Sequence, residues 1–241
     1  MADPLLEVQQ VTKRFGGFQA LTAVSFAVQA GERFGLIGPN GSGKTTLINC
    51  ISGALRHDAG TIRFAGTNIN TLPAHQRTRL GIARTFQIPK PFPSMTVLEN
   101  LCIPLEYAAS PGARSPDISA EALQILTHVG LASKAHMRPA DLTQIDLRKL
   151  ELARAVAAKP KLLISDEAMA GLSSGEVDDI LALLFRLNEQ GITIIMIEHI
   201  MRAVMRFSER IVVLDAGEKI AAGTPDEVVH NKEVERAYLG E

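Results

Sequence analysis

Phe34-Gly35-Leu36-Ile37-Gly38-Pro39-Asn40-Gly41-Ser42-Gly43-Lys44-Thr45-Thr46-Leu47 is the stretch on which the fold turns. Its middle, Gly38 to Thr45, fits the phosphate-binding pattern G-x-x-x-x-G-K-[ST] at every fixed position. The apolar run Arg33 to Ile37 suits a buried strand and Thr45 to Ser52 continues as a helix, so a strand feeds the loop and a helix leaves it. Gly38, Gly41 and Gly43 let backbone N–H groups turn inward on phosphate oxygens, and the helix N-terminus adds a field that favours anions. Pro39, Asn40, Ser42 and Thr46 belong to the same binding stretch. Lys44 is expected to reach the β- and γ-phosphates of a nucleoside triphosphate and the Thr45 hydroxyl to hold Mg2+.

The rest of the chain is read against this loop. With 241 residues, 46% of them hydrophobic, it has room for one large domain carrying a substantial inserted lobe around a packed core. A net charge of −1, from 25 basic and 26 acidic residues, leaves no overall field for nucleic acid or anionic lipid. Cys50 and Cys102 fall in unrelated segments without metal-ligand spacing and are read as reduced thiols. Met1 to Glu7 has neither a basic nor an apolar leader region, which predicts a cytoplasmic chain. The purest apolar run, Ile192 to Ile197 around Thr193, is far short of the roughly 18 to 20 residues of a spanning helix. Any tie to a membrane then runs through a partner.

Residues 5 to 35 alternate loosely, with turns at Gly16-Gly17 and Ala30-Gly31, and predict half-buried antiparallel strands that Gly60 to Gly66 joins. Phe15 sits at one of these turns, where an aromatic serves either as a core anchor, as Phe18 also could, or as a face for a purine ring. Gly81 to Gln87 reads as a strand ending in an amide, and Pro89, Pro91 and Pro93 stop regular structure after it. Thr96–Leu105, Ser119–Leu131 and Thr143–Lys159 are the helices expected in an inserted lobe, with Ser110 to Asp117 its least structured part. Thr143 and Asp146 form a capping box, as do Thr224 and Glu227, the latter with Pro225 at the first helical position.

Lys161 to Ser165 is an apolar strand running directly into Asp166-Glu167. Two carboxylates at a buried strand end are costly unless a metal and a water need them, so Asp166 is the expected metal-side group and Glu167 the base for the attacking water. Val177 to Glu189 is a further helix, Thr193–Ile197 and Ile211–Leu214 further strands, and Glu198-His199 follows the first of these at the open end of a parallel sheet. Of the six histidines, His199 alone has a site-like setting; His57, His75, His128, His136 and His230 are read as surface residues.

With these pieces in order the chain resembles the ATP-binding subunit of an ABC transporter, from about residue 5 to residue 240. The resemblance implies an α/β fold: a P-loop NTPase core with a mostly parallel central sheet, an antiparallel β layer and an inserted helical lobe. It implies one domain over 1–241, with the core in 1–88 and 159–241 and the lobe in 89–158. By the same resemblance Phe15 stacks on adenine, Gly38 to Thr45 is the Walker A loop, Gln87 the metal- and γ-phosphate-contacting Q-loop glutamine, and Leu162 to Asp166 Walker B. Glu167 is the catalytic glutamate and His199 the H-loop histidine. ATP and Mg2+ are the implied cofactors. The implied partners are membrane-spanning permeases, a second cassette and, indirectly, a solute-binding protein, with the chain peripheral on the inner face of the cell membrane.

Gly81 to Gln87, Glu198 to Met205, Gly223-Thr224-Pro225 and Ala237 to Gly240 are similar to the branch serving branched-chain amino acid uptake. A mainly regulatory nucleotide-binding subunit and a non-transport ABC switch protein are the alternatives. The chain departs from the family at its signature: Leu142-Thr143-Gln144-Ile145-Asp146 stands where Leu-Ser-Gly-Gly-Gln is usual, so the hydroxyl survives and both glycines are lost. Ser173 replaces the usual Asp or Asn of the D-loop, and Ala168 the proline after the catalytic glutamate. The expected pairing is therefore with a related cassette that carries an intact signature, although a homodimer is open.

Overall fold

Strands β1 (Leu6–Phe15) and β2 (Phe18–Val28) form an antiparallel hairpin over Gly16-Gly17, with Phe15 opposite Phe18. With β4 (Ala59–Phe64) and β5 (Thr67–Asn68) they make a four-stranded antiparallel sheet of order β2-β1-β4-β5. The structure, a computed structural model, describes residues 3–107 and 117–239. Ser110 to Pro116 of the segment expected to be least structured, and Gly240 of the C-terminal resemblance, lie outside the described residues.

A second, six-stranded sheet has the order β10-β9-β3-β8-β7-β6. Its members are β3 (Arg33–Ile37), β6 (Ile82–Arg84), β7 (Leu162–Asp166), β8 (Thr193–Ile197), β9 (Arg210–Asp215) and β10 (Glu218–Gly223). All of its pairings are parallel except β10 on β9. Parallel sheets are buried on both faces, and successive side chains of a strand point to opposite faces. Leu162, Ile164, Ile195, Ile197, Val212 and Leu214 therefore pack with the antiparallel layer and α1 (Lys44–Ser52). Leu163, Ile194, Met196, Ile211 and Val213 pack with the helices of the other face. That face is covered by α6 (Ser174–Glu189) and α7 (Met201–Phe207), and the chain closes with α8 (Pro225–Val229) and α9 (Lys232–Leu239).

Between β6 and β7 the chain supplies α3 (Val97–Tyr107), α4 (Ile118–His128) and α5 (Gln144–Ala157), which pack on one another through Leu101, Leu105, Ala122, Leu126 and Leu150. Both expected capping boxes form, and Ser173 with Glu176 makes a third at the start of α6. A serine at that departure from the family pattern thus has a local use: a lost N-cap costs about 0.5–2 kcal/mol.

Several elements differ from expectation. Strand β6 ends at Arg84, leaving Thr85 to Gln87 irregular. Helix α2 (Ala74–Leu80), β5, α7, β10 and α9 are additional. Helix α2 has little periodicity of its own and is held by Arg77, 2% exposed, whose Nη1 donates to Cys50 O at 2.6 Å and Ile51 O at 2.9 Å, the free carbonyls at the end of α1. His57 is buried at 7% exposure rather than on the surface, and burial lowers its pKa. His75, His128, His136 and His230 are exposed. Both cysteines are free, and burial raises the Cys50 thiol to about 11. Among the described residues no helix is long and apolar enough to cross a membrane.

Candidate functional site

The loop from β3 to α1 closes on itself before it meets anything else. Gly38 and Gly43 hold φ of 151° and 99°, and a Cβ at Gly38 would lie 2.1 Å from Leu214 O, one at Gly43 2.8 Å from Ala20 O. Only glycine fits such close backbone approaches. Gly43 is also the N-cap of α1 and makes no side-chain cap, so the first-turn N–H groups of the helix remain for a ligand. Lys44, 7% exposed, donates through Nζ to Gly38 O at 2.7 Å and Pro39 O at 3.0 Å. Burial lowers its pKa, while the Glu167 and Asp166 carboxylates act to raise it.

A cavity of about 280 Å³ opens over this loop, bounded by Gly41 to Thr46 on one side and by Phe18, Ala20, Asn40, Glu167 and His199. Glu167 reaches it because Asp166 pairs with Ile197 in the parallel register, putting the ends of β7 and β8 level, and the Glu167 N–H donates to Ile197 O at 2.9 Å. Its φ of 48° is left-handed, an uncommon and strained conformation for a residue with a side chain. Its carboxylate is bracketed: Gln87 Nε2 donates to Oε2 at 2.5 Å, and His199 Nε2 lies 3.1 Å from Oε1. Two other segments of the chain thus converge on the Glu167 carboxylate at the mouth of the loop cavity.

Asp166 lies behind it, 6% exposed, with Oδ2 held by Arg84 Nη2 at 2.6 Å. Arg84 Nη1 reaches Asn49 Oδ1 on α1 at 2.6 Å, so one guanidinium spans the strand end and the loop helix. The Thr45 hydroxyl, the Asp166 carboxylate and the Gln87 amide oxygen are each hard donors of the type that Mg2+ takes. Glu198, 3% exposed, accepts from the Met169 N–H at 2.9 Å. Burial raises its carboxyl to about 7, and Glu167 nearby adds to that.

Of the sequence-derived residues, the cavity gathers Asn40 to Thr46, Glu167 and His199, with Gln87 joined through Glu167. Phe15 is half exposed beneath the Lys13 ammonium, 5.4 Å from the ring centroid, while its cross-strand neighbour Phe18 borders the cavity. Thr143 to Asp146 do not line it; they form the N-terminus of α5. There Asp146 Oδ2 accepts from Thr143 Oγ1 at 2.6 Å and pairs with Lys134 Nζ at 2.5 Å. Burial acts to raise the Asp146 pKa, but Lys134 and the Thr143 hydroxyl and N–H outweigh it and hold the carboxyl below its usual range. Phe18, Arg84, Arg148 and Glu198 are absent from the sequence-derived site; Arg84 and Glu198 lay inside quoted runs, but no local pattern assigns them a partner.

Comparison with known proteins bears on the family and the fold. The family model described as ABC transporter matches residues 21–170, and the model described as branched-chain amino acid ATP-binding cassette transporter matches residues 218–241. A high-affinity branched-chain amino acid transport ATP-binding protein, BraF of Pseudomonas aeruginosa, is 38% identical over 100% of both chains. A nucleotide-free ATP-binding cassette from an ABC transporter superposes with a TM-score of 0.91 at 32% identity, covering 99% of this chain and 100% of that one. An ABC transporter cassette in its ADP conformation superposes with a TM-score of 0.88 at 33% identity, over 100% of both chains. A likeness that runs the length of the chain, in sequence and in fold together, makes this protein a member of the ABC transporter family and one of its nucleotide-binding ATPase cassettes.

Proposed function

We propose that this chain hydrolyses MgATP to drive uptake of branched-chain or related amino acids through permease subunits. The observation that carries its role in hydrolysis is the Glu167 carboxylate, bracketed by Gln87 and His199 at the mouth of the loop cavity. The likeness to BraF and the match over residues 218–241 support the cargo class. In this reading the Gly38 to Thr46 backbone and Lys44 bind the phosphates, Glu167 takes a proton from the attacking water, and His199 steadies the γ-phosphate. Gln87 and Asp166 join Thr45 in holding Mg2+, which when bound neutralises charge developing on the phosphates. The aromatic pair Phe15 and Phe18 supplies the adenine face, with Phe18 nearer the cavity.

Residues 1–88 and 159–241 act as the core and 89–158 as the lobe that moves on ATP. A groove of about 650 Å³ between them, lined by Phe86, Phe92, Pro104, Tyr107 and Ala155, is suited to a permease helix, which would keep the chain cytoplasmic and peripheral on the inner membrane face. The signature favours a second, related cassette over a self-pair. In a head-to-tail dimer the N-terminus of α5 would face the partner's ATP, and here it is capped by its own Asp146 carboxylate, which repels phosphate. A solute-binding protein would deliver cargo from outside. The test is purification through a tag on this chain, followed by uptake of labelled leucine in vesicles. Two permeases and a second cassette should copurify, Lys44→Ala should abolish uptake, and one of two bound ATP molecules should turn over first. A complex without permeases, uptake indifferent to Lys44→Ala, or two equivalent ATP sites would refute the corresponding part.

A further inference from the structure

We propose that Arg148 is the positioning residue that sets the geometry of Glu167, by tying the main chain of Gln87 to the main chain just beyond Glu167. It rises from α5 and is 7% exposed. Its Nη1 donates to Gln87 O, and its Nη2 to Ala170 O at 3.1 Å.

Both tethered segments lack a ladder of their own. Gln87 lies in the irregular stretch after β6, yet its amide must meet Glu167 Oε2 at 2.5 Å. Glu167 holds a left-handed φ of 48°, a conformation that persists only when its surroundings over-determine it. Its own N–H is held by Ile197 O, and the next segment by Glu198 on the Met169 N–H and by Arg148 on Ala170 O. The guanidinium is planar, and its two terminal nitrogens have a fixed spacing. It therefore sets the separation of the Gln87 and Ala170 carbonyls, and with it the approach of the Gln87 amide to Glu167. A lysine could satisfy one carbonyl but not hold both in register.

Stability alone does not account for this arrangement. Among the described residues Arg148 Nε is buried without a hydrogen-bond partner, and Nη1 and Nη2 donate to neutral carbonyls, while the Glu198, Glu151 and Glu167 carboxylates act on the cation only through their charge. Desolvation still outweighs these charges and lowers the Arg148 pKa, so burying the cation here carries a cost.

The proposal takes Glu167 as the carboxylate that activates water, so Glu167→Gln is measured beside it. Arg148→Lys and Arg148→Ala are made in the full chain, and the complex is purified through a tag on it. A misplacement of about 1 Å costs on the order of 100-fold in rate. Arg148→Lys should therefore lower kcat for ATP hydrolysis by about 10- to 100-fold, with KM for MgATP within about threefold, because the phosphate loop is untouched. Added guanidinium ion should restore part of the lost kcat in Arg148→Ala; if that variant does not fold, Arg148→Lys carries the test. Unchanged kcat in Arg148→Lys, or kcat and ATP affinity falling together with the melting temperature, would overturn the proposal. If Glu167→Gln abolishes turnover while Arg148→Lys does not, Arg148 alone is misassigned. If Glu167→Gln turns over normally, the role of Glu167 fails first and the tether loses its purpose.

Discussion

In the role proposed for Glu167, Glu167→Gln separates chemistry from binding at this site. Gln is nearly isosteric with Glu, its carbonyl can accept from Gln87 Nε2 where Oε2 does at 2.5 Å, and its amide can donate to His199 Nε2 where Oε1 lies at 3.1 Å. Both contacts survive, so stability should change by no more than about 1 kcal/mol. In that role the function removed is proton acceptance from water. General-base catalysis contributes about 10² to 10⁴-fold, or about 3–5 kcal/mol of transition-state stabilisation. Nucleotide affinity should hold or tighten, because Lys44 loses a carboxylate that competes for its charge. Steady-state phosphate release from the copurified complex measures the first quantity, and titration with a fluorescent ATP analogue the second. Turnover within about threefold of the wild type would refute the assignment of the base, and a loss of ATP affinity matching the loss of turnover would refute the separation of roles.

The loop and the buried carboxylates give further expectations. Gly43→Ala sets a Cβ 2.8 Å from Ala20 O and 2.9 Å from Leu21 Cδ2 at φ 99°, whereas Gly41→Ala meets nothing within 4 Å at φ 81°. The first should cost about 2–5 kcal/mol, from overpacking and left-handed strain together, and the second only about 1–2 kcal/mol. Thermal denaturation with and without ATP checks this, and equal losses would refute it. Glu198 is raised by burial from 4.5 to about 7, with Glu167 adding and the Met169 and His199 N–H groups and Arg148 opposing. The folded state thus holds its proton where the unfolded state has lost it, so its contribution to stability falls as pH rises from 4.5 to about 7 and is level above. Glu198→Gln keeps an acceptor for the Met169 N–H and removes that slope. Its stability relative to the wild type should rise across this interval, by up to about 3 kcal/mol, and then stay constant. A pH-independent difference would refute the buried-acid reading.

Local chemistry was legible wherever it was written in neighbouring residues. The strand, loop and helix around Gly38 to Thr45, the apolar run into Asp166-Glu167, and the capping boxes at Thr143 and Thr224 each depend on spacing within one segment. Short elements such as α2 and β5 were not legible, because their stability comes from elsewhere: α2 is held by the buried Arg77 on the end of α1. His57 misled for the same reason, since nothing adjacent to it in the chain signals its burial.

By itself, then, the sequence determined that a glycine-rich loop of phosphate-binding pattern and a pair of carboxylates lie at strand ends of a mostly parallel sheet, because periodicity, glycine placement and motif spacing are properties of contiguous chain. The tertiary structure alone decided which side chains meet. The level ends of β7 and β8 bring His199 to Glu167, and the Arg148 fork sets Gln87 against that carboxylate. The hairpin turn puts Phe18 rather than Phe15 at the cavity, and the capped start of α5 is closed by Asp146 and Lys134. These contacts join segments far apart in the chain, and their distances follow from strand register and side-chain reach, which no single segment encodes.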